Sequence, residues 1–295
     1  MKNSFKTTLV CIAVSFCSVF AHADKFYVSS GANNIIELFN SAGQGSVFAN
    51  SGLASPEGMA FDSAGFLYVA NFNNNTITKY NSSGVGSPFA NSGLSGPTGL
   101  AFDSAGNLYA ANLGNNTITK FNSAGTPSLF ASTGLNHPYG LAFDSAGNLY
   151  AANDVSSTIE KYSPSGTPSL FASSASGLNH PAGLAFGAGG FLYVANAVGN
   201  NILKYDTAGN STVFTSSSLL DNPIGIAFDS SGDLYAVNNH PNNVLRFDPS
   251  GNGSVFASQG LNSPAFIAVV PEPASLSIAM LGSGAILLRR KTAHQ

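Results

Sequence analysis

The chain has 295 residues, of which only 8% are charged, with a formal charge of −3, 32 glycines and no tryptophan. Between residues 24 and 270 six basic residues stand against thirteen acidic ones, so the basic footprint of a nucleic-acid binder is absent. Both cysteines, Cys11 and Cys17, precede residue 24, which excludes disulfides and cysteine-held metals from everything after it.

Residues 1–23 carry Lys2 and Lys6, an apolar run over 8–20 and the small-x-small ending Ala21-His22-Ala23. This is the pattern of a secretory signal peptide, and it predicts a mature chain starting at Asp24. Cys17 follows Phe16, a poor context for lipoprotein cleavage. The stretch 26–49 then reads as three short strands, Phe26-Tyr27-Val28-Ser29-Ser30, Asn34-Ile35-Ile36-Glu37-Leu38-Phe39 and Ser46-Val47-Phe48-Ala49.

From Pro56 onward one unit repeats. Its leading prolines fall at positions 56, 97, 138, 181, 223 and 264, spacings of 41, 41, 43, 42 and 41 residues. Self-similarity of that period indicates a propeller or a solenoid. In the first unit, 58–62 and 67–71 are apolar, aromatic-rich runs joined by Asp62-Ser63-Ala64-Gly65, a hairpin with glycine where a positive φ is needed. A third run, 76–80, passes through Asn81-Ser82-Ser83-Gly84 into a fourth around Pro88-Phe89-Ala90. Four antiparallel strands in about 40 residues make one propeller blade, and no segment of the unit has helical periodicity.

The two ends decide between the architectures. The 26–49 stretch lacks the first strand of its unit, and Pro264-Ala265-Phe266-Ile267-Ala268-Val269-Val270 supplies a first strand with no hairpin after it. Pairing these closes a ring and removes the open sheet edges of a linear array. The predicted fold is therefore all-β, a six-bladed β-propeller of four-stranded antiparallel blades spanning 24–270, its ring closed by the C-terminal strand against the N-terminal blade.

After the ring, Pro271-Glu272-Pro273 precedes a mainly apolar run over 274–288 and the cluster Arg289-Arg290-Lys291. The apolar run is short for a spanning helix, and the basic cluster would hold it on the cytoplasmic side. This tail resembles the PEP-CTERM sorting signal of Gram-negative bacteria. The resemblance implies transient inner-membrane anchoring, processing by an exosortase-type sorting enzyme, and delivery to the cell surface or an exopolysaccharide matrix, with Pro271, Glu272, Pro273, Arg289 and Arg290 as its signal residues.

Pro-x-Gly-Leu-Ala-Phe-Asp, Gly-x-Leu-Tyr-Val-Ala-Asn and Asn-x-Ile-x-x-Tyr together resemble the NHL repeat. Six such blades are similar to the superfamily that holds the calcium-dependent lactonases of the SMP-30/gluconolactonase type. That superfamily includes lactonases, lyases and non-catalytic scaffolds, so the resemblance speaks to fold more than to function.

In a propeller the loop leading into each first strand shares a face with the loop between strands two and three. That face gathers the x of every Pro-x-Gly: Glu57, Thr98, Tyr139, Ala182, Ile224 and Ala265. The resemblance implies metal-ligating Glu, Asn and Asp at these positions, and only Glu57 conforms; one carboxylate does not hold a calcium ion that takes six or more oxygens. A second ring, Asn71, Asn112, Asn153, Asn196 and Asn238 with Ser30 in the first blade, either offers amides to a ligand or folds onto nearby backbone to shape the loops.

His137, His180 and His240 belong to loops of the same face, as candidate zinc ligands or an acid/base pair, or as loop residues with no joint role. Lys79, Lys120, Lys161, Lys204 and Arg246 recur at one position of the third strand, with Glu37 taking that place in the first blade. They read as a solvated position whose stems cover apolar surface, the alternative being a ring that grips acidic polysaccharide.

These observations lead to an exported binding or scaffold protein of the surface or matrix, its ligand an extracellular polysaccharide or another surface protein. No cofactor is predicted. The alternative is a metal-dependent lactonase or lyase holding calcium or zinc, with Glu57 as its candidate catalytic group.

Overall fold

The computed structural model describes residues 24–270. The readings of 1–23 as a signal peptide and of 271–295 as a sorting tail lie outside the described residues.

The chain opens with β1 (Lys25–Ser30), β2 (Ile35–Phe39) and β3 (Gly45–Ala49). Five complete units follow. They are β4 (Pro56–Phe61) to β7 (Gly86–Ala90) through β5 (Leu67–Asn71) and β6 (Thr76–Tyr80); β8 (Pro97–Phe102) to β11 (Pro127–Ala131) through β9 (Leu108–Asn112) and β10 (Thr117–Phe121); β12 (Pro138–Phe143) to β15 (Pro168–Ala172) through β13 (Leu149–Asn153) and β14 (Thr158–Tyr162); β16 (Pro181–Phe186) to β19 (Ser211–Thr215) through β17 (Leu192–Asn196) and β18 (Asn201–Tyr205); and β20 (Pro223–Phe228) to β23 (Gly253–Ala257) through β21 (Leu234–Asn238) and β22 (Asn243–Phe247). The last strand is β24 (Pro264–Val270).

Each unit is one four-stranded antiparallel sheet, and β24 completes the first in the order β24-β1-β2-β3. Its register runs from Lys25 opposite Val270 to Ser30 opposite Pro264. The inner strands β24, β4, β8, β12, β16 and β20 contact one another in that cyclic order, so the six blades form a closed ring. The expected six blades of four antiparallel strands and the ring closure are present; the inner strand of the first complete unit runs over Pro56–Phe61 rather than 58–62, and single 3-10 turns at Ser174–Ser176 and Ala188–Gly190 lie in loops.

The repeat motif explains both the turns and the joints. In the β4–β5 turn, Asp62 Oδ1 accepts the Ala64 and Phe66 amides at 3.0 and 2.9 Å, and Gly65 takes φ +83°. The tyrosine of each Leu-Tyr motif packs edge-on against the outer-strand phenylalanine of its own blade and the inner-strand phenylalanine of the next. Tyr68, for example, meets Phe89 at 4.8 Å and Phe102 at 5.0 Å between ring centroids. Aromatic pairs of this kind contribute about 0.5–1.5 kcal/mol each beyond area burial. The sixth joint lacks the inner-strand phenylalanine, since Val269 stands there, and Phe26 supplies the ring to Tyr235 instead at 4.4 Å.

The motif glycine brings the inner strands close to the axis. A Cβ at Gly58, Gly99, Gly140 or Gly183 would overlap the carbonyl oxygen of Thr98, Tyr139, Ala182 or Ile224 of the next blade. Five blades keep this glycine, and in the first blade the position belongs to Phe266.

Candidate functional site

Antiparallel blades put the first and third turns at one end of the ring, and the loops leading into each inner strand, with those between the second and third strands, at the other. At this second end a cleft of about 380 Å³ opens at the channel mouth. It is lined by Glu57, Tyr139, Ile224 and Ala265 from inner strands, and by loop residues including Asn34, Ser55, Asn73, Asn239 and Ser263.

Tyr139 belongs to the fourth blade, opposite the first, and its ring reaches across the axis. It lies parallel to Phe266, with 5.5 Å between centroids and 10° between planes. Its hydroxyl donates to Glu57 Oε2 of the second blade at 2.8 Å. Burial raises the Glu57 carboxyl to about 7, against the lowering effect of the Tyr139 hydrogen bond. Tyr139 itself is pushed well above 10, first by burial and then by Glu57, with a smaller contribution from Asp154. The result is an aromatic bridge across the channel, with a carboxyl that changes charge near neutrality at the floor of an amide- and hydroxyl-rimmed cleft.

Of the sequence-predicted residues, Glu57 and Tyr139 are brought together and Thr98 is not. Thr98 is fully buried, and its hydroxyl donates to the Pro138 carbonyl at 3.0 Å, tying its blade to the next. The asparagine ring is buried and turned to the loops. Asn71 Oδ1 accepts the Ala54 amide at 3.1 Å while its Nδ2 lies within reach of Gly52 O, Thr76 Oγ1 and Thr78 Oγ1. Asn112, Asn153, Asn196 and Asn238 accept from Ser95, Asn136, Asn179 and Asp221 in the same way. Ser30 does this with a shorter arm, exchanging both bonds with the Asn262 backbone at 2.8 and 3.0 Å. Of the two readings of this ring, the geometry is that of a loop clamp.

Removing one clamp should therefore affect stability alone. Asn112→Ala strands the Ser95 amide, leaves the Gly93 carbonyl with the Thr119 hydroxyl alone, and is expected to lower unfolding free energy by about 1–3 kcal/mol, read as a urea midpoint shift with unchanged secondary structure.

A second clamp escapes the sequence reading. Asn34, Asn75, Asn116, Ser157, Asn200 and Asn242 accept the backbone N–H of the residue preceding the next blade's proline, namely Ser55, Gly96, His137, His180, Asn222 and Ser263, at 2.6–3.1 Å. Both partners of every pair have positive φ, the left-handed region that asparagine tolerates best among non-glycine residues. The signal for it is the Asn-Asn or Gly-Asn pair that precedes the third strand in most blades.

The three histidines do not converge. His137 and His240 are exposed, while His180 Nδ1 lies 3.0 Å from Asp154 Oδ1, a partner the sequence reading does not single out. Among the described residues no three His, Cys, Asp or Glu side chains group together. Glu57 is the one carboxylate lining the cleft. Among the described residues the cleft thus lacks the clustered carboxylates and histidines that calcium and zinc sites draw on most.

The cationic ring lies toward the opposite end. Lys79, Lys120 and Lys161 pair with Asp62, Asp103 and Asp144 at 3.3, 3.5 and 3.7 Å, and Arg246 pairs with Asp233. Lys204 stacks over Phe191 at 4.0 Å. One assignment needs correction: Leu38, opposite Tyr27, takes the cation's place in the first blade, as Lys79 stands opposite Tyr68. Glu37 is one residue earlier, in the place of Thr78, and points to the other side of the sheet.

Comparison with known proteins places this geometry. No curated protein sequence matches. Among solved structures, a chain of a nidogen/laminin complex superposes with a TM-score of 0.75 at 19% identity, over 83% of this chain and 98% of that one. A catalytically inactive virginiamycin B lyase from Staphylococcus aureus with quinupristin gives 0.64 at 18%, over 86% and 94%. A gluconolactonase from Xanthomonas campestris gives 0.61 at 20%, over 82% and 90%. These likenesses establish the shared propeller, which is as far as the NHL and SMP-30 resemblance extends. Residues 45–275 match the profile of the virginiamycin B lyase family, and over that span, most of its length, the chain belongs to that family.

Proposed function

We propose that the protein is a binding propeller whose ligand, a hydroxyl-rich saccharide, seats in the channel-mouth cleft, and that it works at the cell surface or in an exopolysaccharide matrix. The observation that carries this reading is the Tyr139–Glu57 hydrogen bond at the floor of a cleft rimmed by Asn34, Asn73, Asn239, Ser55 and Ser263. A carboxylate, several amides and an aromatic face are the groups that sugar hydroxyls and C–H faces pair with, and above neutral pH a charged Glu57 accepts hydroxyl protons in charge-assisted bonds. The terminal signals support the location, and an exosortase-type enzyme is the processing partner that the tail implies.

Calorimetric titration with neutral and acidic oligosaccharides tests it. Binding is expected to tighten as pH rises through about 7 and to weaken tenfold or more in Glu57→Gln and in Tyr139→Phe. Variants that bind like the wild type would remove the cleft from the reading.

One observation favours a second reading. A carboxyl near 7 is matched to general-base work at neutral pH, and the family includes a lyase. The chain would then act as a lyase or lactonase with Glu57 as base. Turnover of a simple lactone or of quinupristin, rising through pH 7 and lost in Glu57→Gln, would establish this reading; absence of turnover leaves binding.

A further inference from the structure

One turn breaks the repeat. In four blades the first residue of the turn after the inner strand is aspartate, Asp62, Asp103, Asp144 and Asp229. Its Oδ1 accepts the backbone N–H four residues on, that of Phe66, Asn107, Asn148 or Asp233, at 2.8–2.9 Å. Its Oδ2 accepts the hydroxyl of Tyr68, Tyr109, Tyr150 or Tyr235 at 3.2–3.3 Å. In three of these blades Oδ2 also pairs with the lysine of the third strand.

In the fifth blade Gly187 stands at the aspartate's place, and the donors remain. The turn is closed as before: the Gly187 N–H donates to Phe191 O at 2.9 Å, as the Asp62 N–H does to Phe66 O at 3.0 Å. Lys204 keeps its position as well. Its ammonium lies 4.0 Å from the Phe191 centroid and 5.5 Å from that of Tyr193, against 4.0 and 5.0 Å for Lys79 over Phe66 and Tyr68, and Lys79 reaches Asp62 from there. Among the described residues the Lys204 ammonium has no carboxylate partner, and the hydroxyl of Tyr193, a residue only 8% exposed, has no hydrogen-bond partner. The Phe191 N–H has no acceptor there either. Folded proteins rarely leave so many donors unused in one place.

We propose that this position of the fifth blade binds the carboxylate of a ligand, and that the ligand is an acidic saccharide presenting a uronate. One carboxylate oxygen takes the Phe191 N–H, and the other takes the Tyr193 hydroxyl and the Lys204 ammonium, the pairing that aspartate makes in the other blades. Such charge-assisted bonds are about twice as strong as neutral ones. Gly187 makes the room, since an aspartate there would fill the place itself, and the exposed Ala188, Gly189 and Gly190 leave it open to solvent. The ring edges of Tyr193 and Phe228 stand beside it, within 2.8 and 3.0 Å of where a Cβ on Gly187 would lie. Aromatic carbon next to the donors suits the C–H groups of a sugar ring. The choice of a saccharide rests on the function proposed above; the site itself does not, being at the opposite end of the ring from the cleft.

Titration of the purified full chain with glucuronate, followed through backbone amide NMR shifts, tests the proposal, with glucose and acetate as further probes. Glucuronate is expected to move the Phe191 amide saturably, glucose to leave it in place, and acetate to bind there more weakly than glucuronate. Gly187→Asp supplies the carboxylate from the chain itself and should abolish the shift while raising the melting temperature. Lys204→Met should weaken glucuronate binding about tenfold, the loss of one charge-assisted contact, and Lys120→Met, in a blade that has its aspartate, should bind like the wild type. A Phe191 amide that glucuronate does not move, or binding that survives Gly187→Asp, would overturn the site. Acetate binding as tightly as glucuronate, or an acidic peptide binding more tightly, would overturn the saccharide as its ligand. The Asn239 and Ala265 amides report the cleft at the other end, so the two readings stand or fall separately.

Discussion

A chain cut after Ser263 is expected to lose cooperative folding altogether, whereas one ending at Val270 keeps it, as read by circular dichroism and thermal melting. β24 is the inner strand of the first blade and fills two joints at once. Ile267 and Val269 pack with Tyr235, Val244 and Phe26 on one side, while Phe266, Ala268 and Val270 pack with Tyr27, Met59 and Tyr80 on the other. Its removal also unpairs the inner edge of β1 from Lys25 to Ser30. Burial of each large aliphatic or aromatic side chain contributes about 1.5–3 kcal/mol, and several are lost together against a total stability of about 5–15 kcal/mol. A truncated chain that melts at the wild-type temperature would mean that the ring does not depend on this closure.

Glu57→Gln is expected to stabilise the protein at pH 8 and to do so far less at pH 5. The folded carboxyl titrates near 7, above its ordinary value of 4.5, because burial disfavours its charge. Between those values the folded state holds a proton that the unfolded state has released, so this group's contribution is present below pH 4.5 and falls as pH rises through 7. The difference at pH 8 amounts to at most about 3.5 kcal/mol, from about 2.5 units at about 1.4 kcal/mol each. The substituted side chain's amide oxygen would still accept the Tyr139 hydroxyl without carrying a charge. Burial also raises Glu37 and Glu160, so the informative quantity is wild type minus variant, measured by urea unfolding across pH 5–8. A flat difference would place the carboxylate in solvent.

The candidate site was only half legible. Glu57 and Tyr139 stand out because they break the repeat at one position, but they are 82 residues apart and nothing in the spacing says that their side chains meet. Phe266 is visible as the residue that replaces a glycine, and its role is not, since a ring at that place has meaning only when the opposite blade sends another to lie parallel to it. The asparagines illustrate the reverse: a ring of amides beside a channel suggests ligands, and the loops that consume those amides are set by how each chain segment returns to the axis. The misassignment of Glu37 was a one-residue slip, which in a strand reverses the face.

By itself the sequence determined the strands, the six units and the closure, because turn glycines, alternating aromatics and the divided first repeat are local or periodic features that survive in one dimension. The tertiary structure alone decided which side chains share the channel mouth, what they hydrogen-bond and how far a carboxyl's charge is disfavoured. Those depend on distances across a closed ring and on exclusion of water from its centre, and neither quantity is written in the order of residues along the chain.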